Sequence, residues 1–288
     1  MCGIAGIVHP AAGGSDAPRI GPEAIRAMTA ALIHRGPDAE GFFERPGIAL
    51  GHRRLKIIDL AGGAQPMCDP SKRTWVTYNG EIYNHEALRR ELESRGCRFQ
   101  SRCDTEVLVH GYAEWGASTL LDRIDGMFAF GLWDARKRRL VLARDRMGQK
   151  PLFYTRLADG SLAFASEVKA LLAHPRVEHA VDQSGLSSYL TLEYLPGRLS
   201  MVKNVHKVLP GTWLEVDAEG TNEHRYWDLP FADESAPECA VERFTELFDQ
   251  SVARRLMSND SVLTNEFLPK LNSAAAWCCR NHETPARL

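Results

Sequence analysis

The sequence predicts an α+β fold in which antiparallel sheets are covered by helices. Segments with strand character and segments with helical spacing come in blocks, without the steady alternation of a parallel βαβ sheet. Turn signals, Asn79-Gly80 and Asp159-Gly160, sit beside short apolar runs, as in hairpins. The composition is that of a globular enzyme, with 44% hydrophobic and 25% charged residues, and 288 residues suffice for about two domains.

In chain order, Gly3 to Val8 is a short apolar run and reads as a buried strand directly behind Cys2. Ala11 to Pro22, rich in Gly, Ala and Pro, reads as a loop. Ile25, Met28, Ala31 and Leu32 give Glu23 to Ile33 helical spacing, and His34-Arg35-Gly36-Pro37-Asp38 breaks that helix. Gly47 to Leu60 reads as two strands with a tight polar interruption at Gly51-His52-Arg53-Arg54. Thr74 to Tyr78 alternates as a strand and runs into Asn79-Gly80-Glu81. Glu86 to Arg95 is an amphipathic helix closed by Gly96. Asp104 reads as the N-cap of a helix over Val107 to Trp115.

Met127 to Trp133 and Arg139 to Arg144 form a hairpin, and Pro151 to Thr155 and Leu162 to Ala165 form another. Glu167 to Leu172 and Ser184 to Tyr194 read as helices that stop before Pro175 and Pro196. Val208 to Val216 and Arg225 to Trp227 supply late strands. Pro230 to Pro237 is a polar, acidic linker, and Glu238 to Met257 is an amphipathic helix carrying Val241, Phe244, Leu247, Phe248 and Val252 on one side.

Several function classes are disfavoured. A net charge of −2 provides no basic field for nucleic acid. No apolar run is long enough for a membrane span, and the N-terminus lacks the regions of a signal peptide, so a cytoplasmic protein is expected. The seven cysteines are scattered without a CxxC pair, which argues against a zinc site or disulfide framework.

The chemistry-bearing residues lie in separate short stretches. Removal of Met1 would leave Cys2 with a free α-amine, of ordinary pKa about 7.7–8.0, within reach of its own thiol. One residue would then supply nucleophile and base. Arg54 beside an apolar strand is either a surface residue or a fork for a carboxylate. Asn79-Gly80 is either a plain turn or an oxyanion site built from a side-chain amide and a backbone N–H.

Taken together these stretches carry a resemblance. Cys2-Gly3-Ile4, His34-Arg35-Gly36-Pro37-Asp38, Arg54-Leu55, Asn79-Gly80-Glu81-Ile82-Tyr83-Asn84-His85, Asp104-Thr105-Glu106 and Arg144-Asp145 through Lys150-Pro151-Leu152 stand in one order. The sequence over about residues 2 to 257 resembles the glutamine-hydrolysing asparagine synthetases, specifically their N-terminal class II glutamine amidotransferase domain. Within that family it looks closest to the bacterial asparagine-synthetase-like amidotransferases associated with exopolysaccharide and exosortase gene clusters.

The resemblance implies the four-layer αββα sandwich of the N-terminal-nucleophile hydrolases. It implies that Cys2 attacks the side-chain amide of L-glutamine, releasing ammonia and leaving a thioester that water hydrolyses. Asn79 and Gly80 would hold the oxyanion. Arg54 would clamp the α-carboxylate, with backbone near Ile57 and Ile58 lining the site. Glu81 and Asp104 would receive the α-ammonium. Arg53 competes with Arg54 for the clamp, and Arg54 is the one directly before the Leu of the motif. No metal and no cofactor are implied for this domain, and a homodimer is compatible with it.

The chain also departs from the family. A helix such as that over Glu238 to Met257 leads there into a synthetase domain that uses ATP and Mg, with a Ser-Gly-Gly-x-Asp-Ser loop for pyrophosphate. Here Arg255-Leu256-Met257-Ser258 is followed by Asn259-Asp260-Ser261-Val262-Leu263-Thr264, and the loop motif is missing from the sequence. The expected organisation is therefore a glutaminase domain at 2–215, late strands and a linker at 216–236, the first helix of a truncated synthetase domain at 237–258, and an aberrant, unpacked tail at 259–288. A frameshift or early end is the expected cause, and synthesis of asparagine by this chain is not expected. Two alternatives stand beside this reading: another class II amidotransferase, or a remnant that only binds a partner.

Overall fold

The protein is described from a computed structural model, which describes residues 1–9, 20–56, 62–229 and 239–255. It divides into two units, Met1–Pro230 and Phe231–Leu288.

The first unit contains two six-stranded antiparallel sheets. The first sheet comprises β1 (Gly3–Val8), β2 (Ala39–Arg45), β3 (Ile48–Arg54), β8 (Phe153–Arg156), β9 (Leu162–Ala165) and β10 (Val205–Lys207), in the order β10-β8-β9-β1-β3-β2. The second comprises β4 (Met67–Cys68), β5 (Thr74–Ile82), β6 (Gly126–Asp134), β7 (Arg139–Arg144), β11 (Thr212–Asp217) and β12 (Gly220–Arg225), in the order β12-β11-β7-β6-β5-β4. Helices α1 (Pro22–Ala30) and α4 (Val168–Leu172) pack on the first sheet, and α2 (His85–Ser94) and α3 (Thr105–Arg123) on the second. Helix α5 (Gln183–Leu192) completes the unit.

Three apolar layers hold these sheets and helices together, and the period-2 alternation of the strands creates them. On β1, Ile4 and Val8 point between the sheets, where they meet Leu50, Phe164, Leu142 and Leu214. Ala5 and Ile7 point the other way, onto Ile25, Met28 and Leu32 of the α1 region and onto Ala170 and Leu171 of α4. Val76, Tyr78 and Phe130 face Leu88, Leu92, Val107 and Leu108 of α2 and α3. This is the four-layer arrangement that the resemblance implies. Phe164 fixes the spacing between the sheets: a Cβ on Gly6 or on Gly131 would lie 2.2 or 2.4 Å from its ring.

Several elements differ from the sequence reading. The polar text Gly51-His52-Arg53-Arg54 does not interrupt a strand; β3 runs straight through it, with β1 on one side and β2 on the other. Strand β2 carries glutamates and an arginine, which masked its strand character. Asn79-Gly80 is not a turn but lies inside β5, which pairs with β6 from Thr74 to Ile82. Helix α3 extends to Arg123 across a kink at Gly116, whose φ of 77° only glycine adopts readily. Of the run Val208 to Val216, strand begins only at Thr212, after a turn at Pro210-Gly211, and the last strand is Gly220–Arg225 rather than Arg225 to Trp227. Pairing of β11 with β12 places that strand in the second sheet.

The second unit contributes one described helix, α6 (Ala240–Arg255), on which Phe244 and Phe248 stack at 6.0 Å between ring centroids. The linker at 230–237 and the tail from 259 lie outside the described residues, as do Ile57 and Ile58. No described helix is long and apolar enough to cross a membrane.

Candidate active site

A cleft of about 100 Å³ opens at the N-terminus of β1, and Cys2, Arg54, Asn79, Gly80, Glu81 and Asp104 all line it. These residues come from four places in the chain, and the fold gathers them. Cys2 precedes β1 in the first sheet and Arg54 ends the neighbouring β3. Asn79, Gly80 and Glu81 lie on β5 of the second sheet. Asp104 stands at the start of α3. The cleft therefore sits where one end of the two sheets faces the α3 N-terminus.

Cys2 is held by its backbone and its sulfur. Its carbonyl accepts from Arg35 Nε at 2.9 Å, and its Sγ accepts from the Leu55 N–H at 3.4 Å. Arg35 is itself anchored by Glu167, whose Oε1 lies 2.8 Å from Nη1. Burial alone would raise the Glu167 pKa, but its bonds to Arg35 and His34 hold it down at about 2. The His34-Arg35 text, read as a helix stop, thus forms a 3₁₀ turn that braces Cys2. Burial pushes the Cys2 thiol up. It pulls the Met1 amine down, and the Arg35 and Lys150 cations act in the same direction.

The β5 edge carries unused donors. Asn79 is 1% exposed, and its Nδ2 has no hydrogen-bond partner among the described residues. Gly80 lies opposite Phe128, whose N–H and C=O both turn to Asp145. That register sends the Gly80 N–H to the opposite, open edge, on the side of the cleft. Its neighbours on the same edge are occupied: the Tyr78 N–H donates to Gln65 Oε1 at 2.7 Å and the Ile82 N–H to Asp104 Oδ2 at 3.0 Å. Only glycine fits at position 80, because a Cβ would lie 2.3 Å from the Met127 carbonyl.

Asp104 corrects the sequence reading. It stands at the N-cap position of α3 but makes no side-chain cap. Its Oδ2 instead accepts from the Tyr78 hydroxyl and the Ile82 N–H. Glu106 of the same motif points elsewhere, accepting from the N–H groups of Gln100 and Ser101 and from the Ser101 hydroxyl. Burial opposes ionisation of Glu106, yet these bonds and His110 hold it at about 2. Glu81 shares the cleft, and burial together with Asp104 raises its pKa.

The two arginines at the end of β3 separate by strand alternation. Arg53 Nη2 pairs with Glu40 at 2.8 Å, and its Nε donates to the Thr29 carbonyl. Arg54 is 7% exposed and lines the cleft.

Sequence reasoning missed Tyr78, Gln65, Cys103 and Lys150, all of which line the cleft. Tyr78 and Gln65 are ordinary in sequence, one an aromatic in a strand and the other a loop residue. Burial and the adjacent Asp104 push the Cys103 thiol up to about 12. The remaining motif text is architectural. Asn84 joins the Arg123 carbonyl to the Asp125 N–H. Arg144 donates to the carbonyls of Lys150, Gly148 and Val208.

A family model for a glutamine amidotransferase domain matches residues 1–227. The chain is 39% identical over 242 residues to glutamine-hydrolyzing asparagine synthetase 3 of Bacillus subtilis (strain 168), a match covering 82% of this chain and 39% of that protein. It is 35% identical over 276 residues to amidase chyE of Penicillium rubens, covering 89% of this chain and 38% of that one. The chain thus spans about two fifths of the length of these relatives. Among solved structures, the allosteric regulatory enzyme of purine biosynthesis matches with a TM-score of 0.57 at 21% identity, over 78% of this chain and 49% of that one. The glutamine phosphoribosylpyrophosphate amidotransferase of B. subtilis matches with a TM-score of 0.55, also at 21% identity and the same coverage. At that identity the likeness is one of fold.

Proposed function

Since the chain belongs to the class II glutamine amidotransferase domain family, we propose that it hydrolyses L-glutamine to glutamate and ammonia with Cys2 as the nucleophile. The observation that carries this reading is the buried Asn79 Nδ2 without a partner, beside the Gly80 N–H, in the same cleft as Cys2. A buried amide donor left unpaired costs about 1–3 kcal/mol. A site that binds a developing oxyanion recovers that cost at the transition state.

In this mechanism Met1 is removed and the α-amine of Cys2 takes the thiol proton. A base is needed, because burial favours the thiol over the thiolate. The sulfur attacks the amide carbon, and the carbonyl oxygen gains charge against Asn79 Nδ2 and the Gly80 N–H. The ammonium formed at the terminus returns its proton to the leaving nitrogen, and ammonia departs. Water then attacks the γ-glutamyl thioester, giving glutamate and the free thiol.

Arg54 holds the substrate α-carboxylate, and Asp104 and Glu81 its α-ammonium. Two strong donors already occupy Asp104 Oδ2, whereas Oδ1 meets the weak Cys103 thiol donor at 3.5 Å, so Oδ1 is the oxygen proposed to take the ammonium. Ammonia, rather than asparagine, is the product assigned to these residues.

The test is ammonia release from glutamine by the purified chain, with intact mass recorded on the same sample. The expected result is a chain that begins at Cys2 and loses all turnover in Cys2→Ala and Cys2→Ser with the fold retained. Retained Met1 in an active sample, or turnover in Cys2→Ala, would overturn the reading.

A further inference from the structure

Lys150 is a charged side chain in the cleft that this mechanism does not use. It is 6% exposed, yet among the described residues the hydrogen-bond acceptor its Nζ meets is the Met1 thioether, at 3.2 Å. A thioether is a weak acceptor, and removal of Met1 takes it away.

The loop that presents Lys150 is fixed on all sides. Asp145 is fully buried, and its carboxylate accepts from the N–H groups of Phe128, Gln149 and Lys150. Its carbonyl accepts from Gly148 and Gly211. Arg144 Nε holds the Lys150 carbonyl at 2.7 Å. These bonds fix the point at which the Lys150 side chain leaves the backbone and enters the cleft.

Resting on the reading of Cys2 as nucleophile, we propose that Lys150 is a positioning residue whose ammonium faces the Cys2 α-amine after Met1 removal. There it disfavours a second positive charge on that amine and favours the thiolate. The groups around the terminus are Arg35 from the 3₁₀ turn, Tyr78 and Glu81 from β5, Arg54 from β3, Cys103 and Asp104 from the start of α3, and Lys150 from its loop. At the Met1 amine, Arg35 acts in the same direction as Lys150 and Glu81 opposes them. Burial lowers the pKa of Lys150 itself, consistent with an ammonium that lacks a strong acceptor.

The sign follows from Coulomb's law. Loss of the cation makes the amine easier to protonate and the thiolate harder to form, so both pKa values rise. The experiment uses the full chain with Met1 removal verified by mass. Iodoacetamide modification of Cys2 is followed against pH by peptide mapping, alongside kcat and KM for glutamine, in wild type, Lys150→Met, Lys150→Gln and Lys150→Arg. Urea midpoints check folding.

In the Met and Gln variants, the alkylation midpoint and the acid limb of kcat/KM should move up by about 0.5–1 pH unit. KM at the optimum should stay within about twofold, and Lys150→Arg should follow wild type. Curves of the folded Met and Gln variants that superimpose on wild type overturn the proposal, as does Lys150→Arg shifting as far as Lys150→Met. If wild type releases no ammonia but the alkylation midpoint still moves, the glutaminase reading fails and the electrostatic placement stands. If turnover is normal and nothing moves, the placement fails and the glutaminase reading stands.

Discussion

The Tyr78 hydroxyl donates to Asp104 Oδ2 at 2.8 Å across the gap between β5 and the start of α3. Together with the Ile82 N–H on the same oxygen, this bond turns the Asp104 carboxylate away from capping its own helix and fixes it at the cleft wall. Burial and the adjacent Asp104 charge push the Tyr78 pKa well above its ordinary value, so the phenol stays a donor.

Removing the Asp104 charge should weaken glutamine binding specifically. A charge-assisted hydrogen bond is worth about 1.5–3 kcal/mol, so Asp104→Asn should raise KM by roughly 10–100-fold. Tyr78→Phe keeps the carboxylate but loses one of its donors. It should cost about 1 kcal/mol of stability and raise KM by less than about tenfold. Steady-state kinetics and urea unfolding of both variants check this. Equal KM values in Asp104→Asn and wild type would remove Asp104 from the substrate site.

The two arginines of β3 give a second comparison. Arg54→Lys should raise KM by about tenfold or more, because an ammonium cannot reproduce a planar two-point fork. Arg53→Lys, on the opposite face with Glu40, should leave KM within about twofold and cost at most about 1 kcal/mol of stability. Kinetics with glutamine on both variants decide it, and the reverse order of effects would move the carboxylate clamp to Arg53.

How much of this was legible in the sequence differs between the fold and the site. Strong apolar periodicity located β1, β7, β9 and the helices to within a few residues, except α3, which continues past Trp115 to Arg123. The class was legible too, because antiparallel sheets covered by helices follow from blocks of strands and helices. Strand β2 was not legible, since Glu40, Glu44 and Arg45 give it the polarity of a loop. Asn79-Gly80 misled in the opposite direction: the strongest hairpin dipeptide sits mid-strand, because Gly80 meets the Met127 carbonyl too closely for any side chain. The motif residues could be listed from their order in the chain. Their division of labour came with the resemblance, which favoured Arg54 over Arg53 and named Asp104; the residues read alone left Asp104 a helix cap and Arg54 a surface residue. Asp104 faces the cleft while Glu106 anchors the loop at Gln100 and Ser101, and Arg54 lines the cleft while Arg53 does not. Those distinctions depend on which way each backbone turns, and three-residue motifs carry no such information.

Asn79 separates catalysis from stability. Its Nδ2 has no partner among the described residues, so Asn79→Ala removes no hydrogen bond seen at that atom. Loss of one oxyanion donor costs about 10²–10³ in rate. Asn79→Ala should therefore lower kcat by that factor while its urea midpoint shows a loss of no more than about 1 kcal/mol. Unchanged kcat in this variant would make the unpaired amide a packing feature of β5.

His52 links the two sheets, and it makes folding stability depend on pH. It lies on β3 and its Nε2 is 3.1 Å from the Tyr78 carbonyl on β5. A carbonyl only accepts, so Nε2 carries the proton. Burial lowers the His52 pKa from 6.5 to about 4, and Arg54 acts in the same direction, outweighing the opposing bond to the Tyr78 carbonyl. The depressed value means that the unfolded chain binds this proton more readily than the folded one. Stability from this group is therefore present in full above pH 6.5 and is lost as pH falls from 6.5 towards 4. The slope reaches about 1.4 kcal/mol per pH unit. His174 has a lowered pKa as well and adds a slope of the same sign, so the measurement is a difference between variants. His52→Gln retains a donor for the Tyr78 carbonyl and has nothing to titrate. Urea unfolding of wild type and His52→Gln at intervals from pH 7.5 to 4.5 should give curves that run parallel above about pH 6.5 and converge below it, as wild type alone loses the His52 contribution. Parallel curves across the whole range would show that His52 takes up its proton equally well in the folded chain, which is incompatible with a buried neutral imidazole holding β3 to β5.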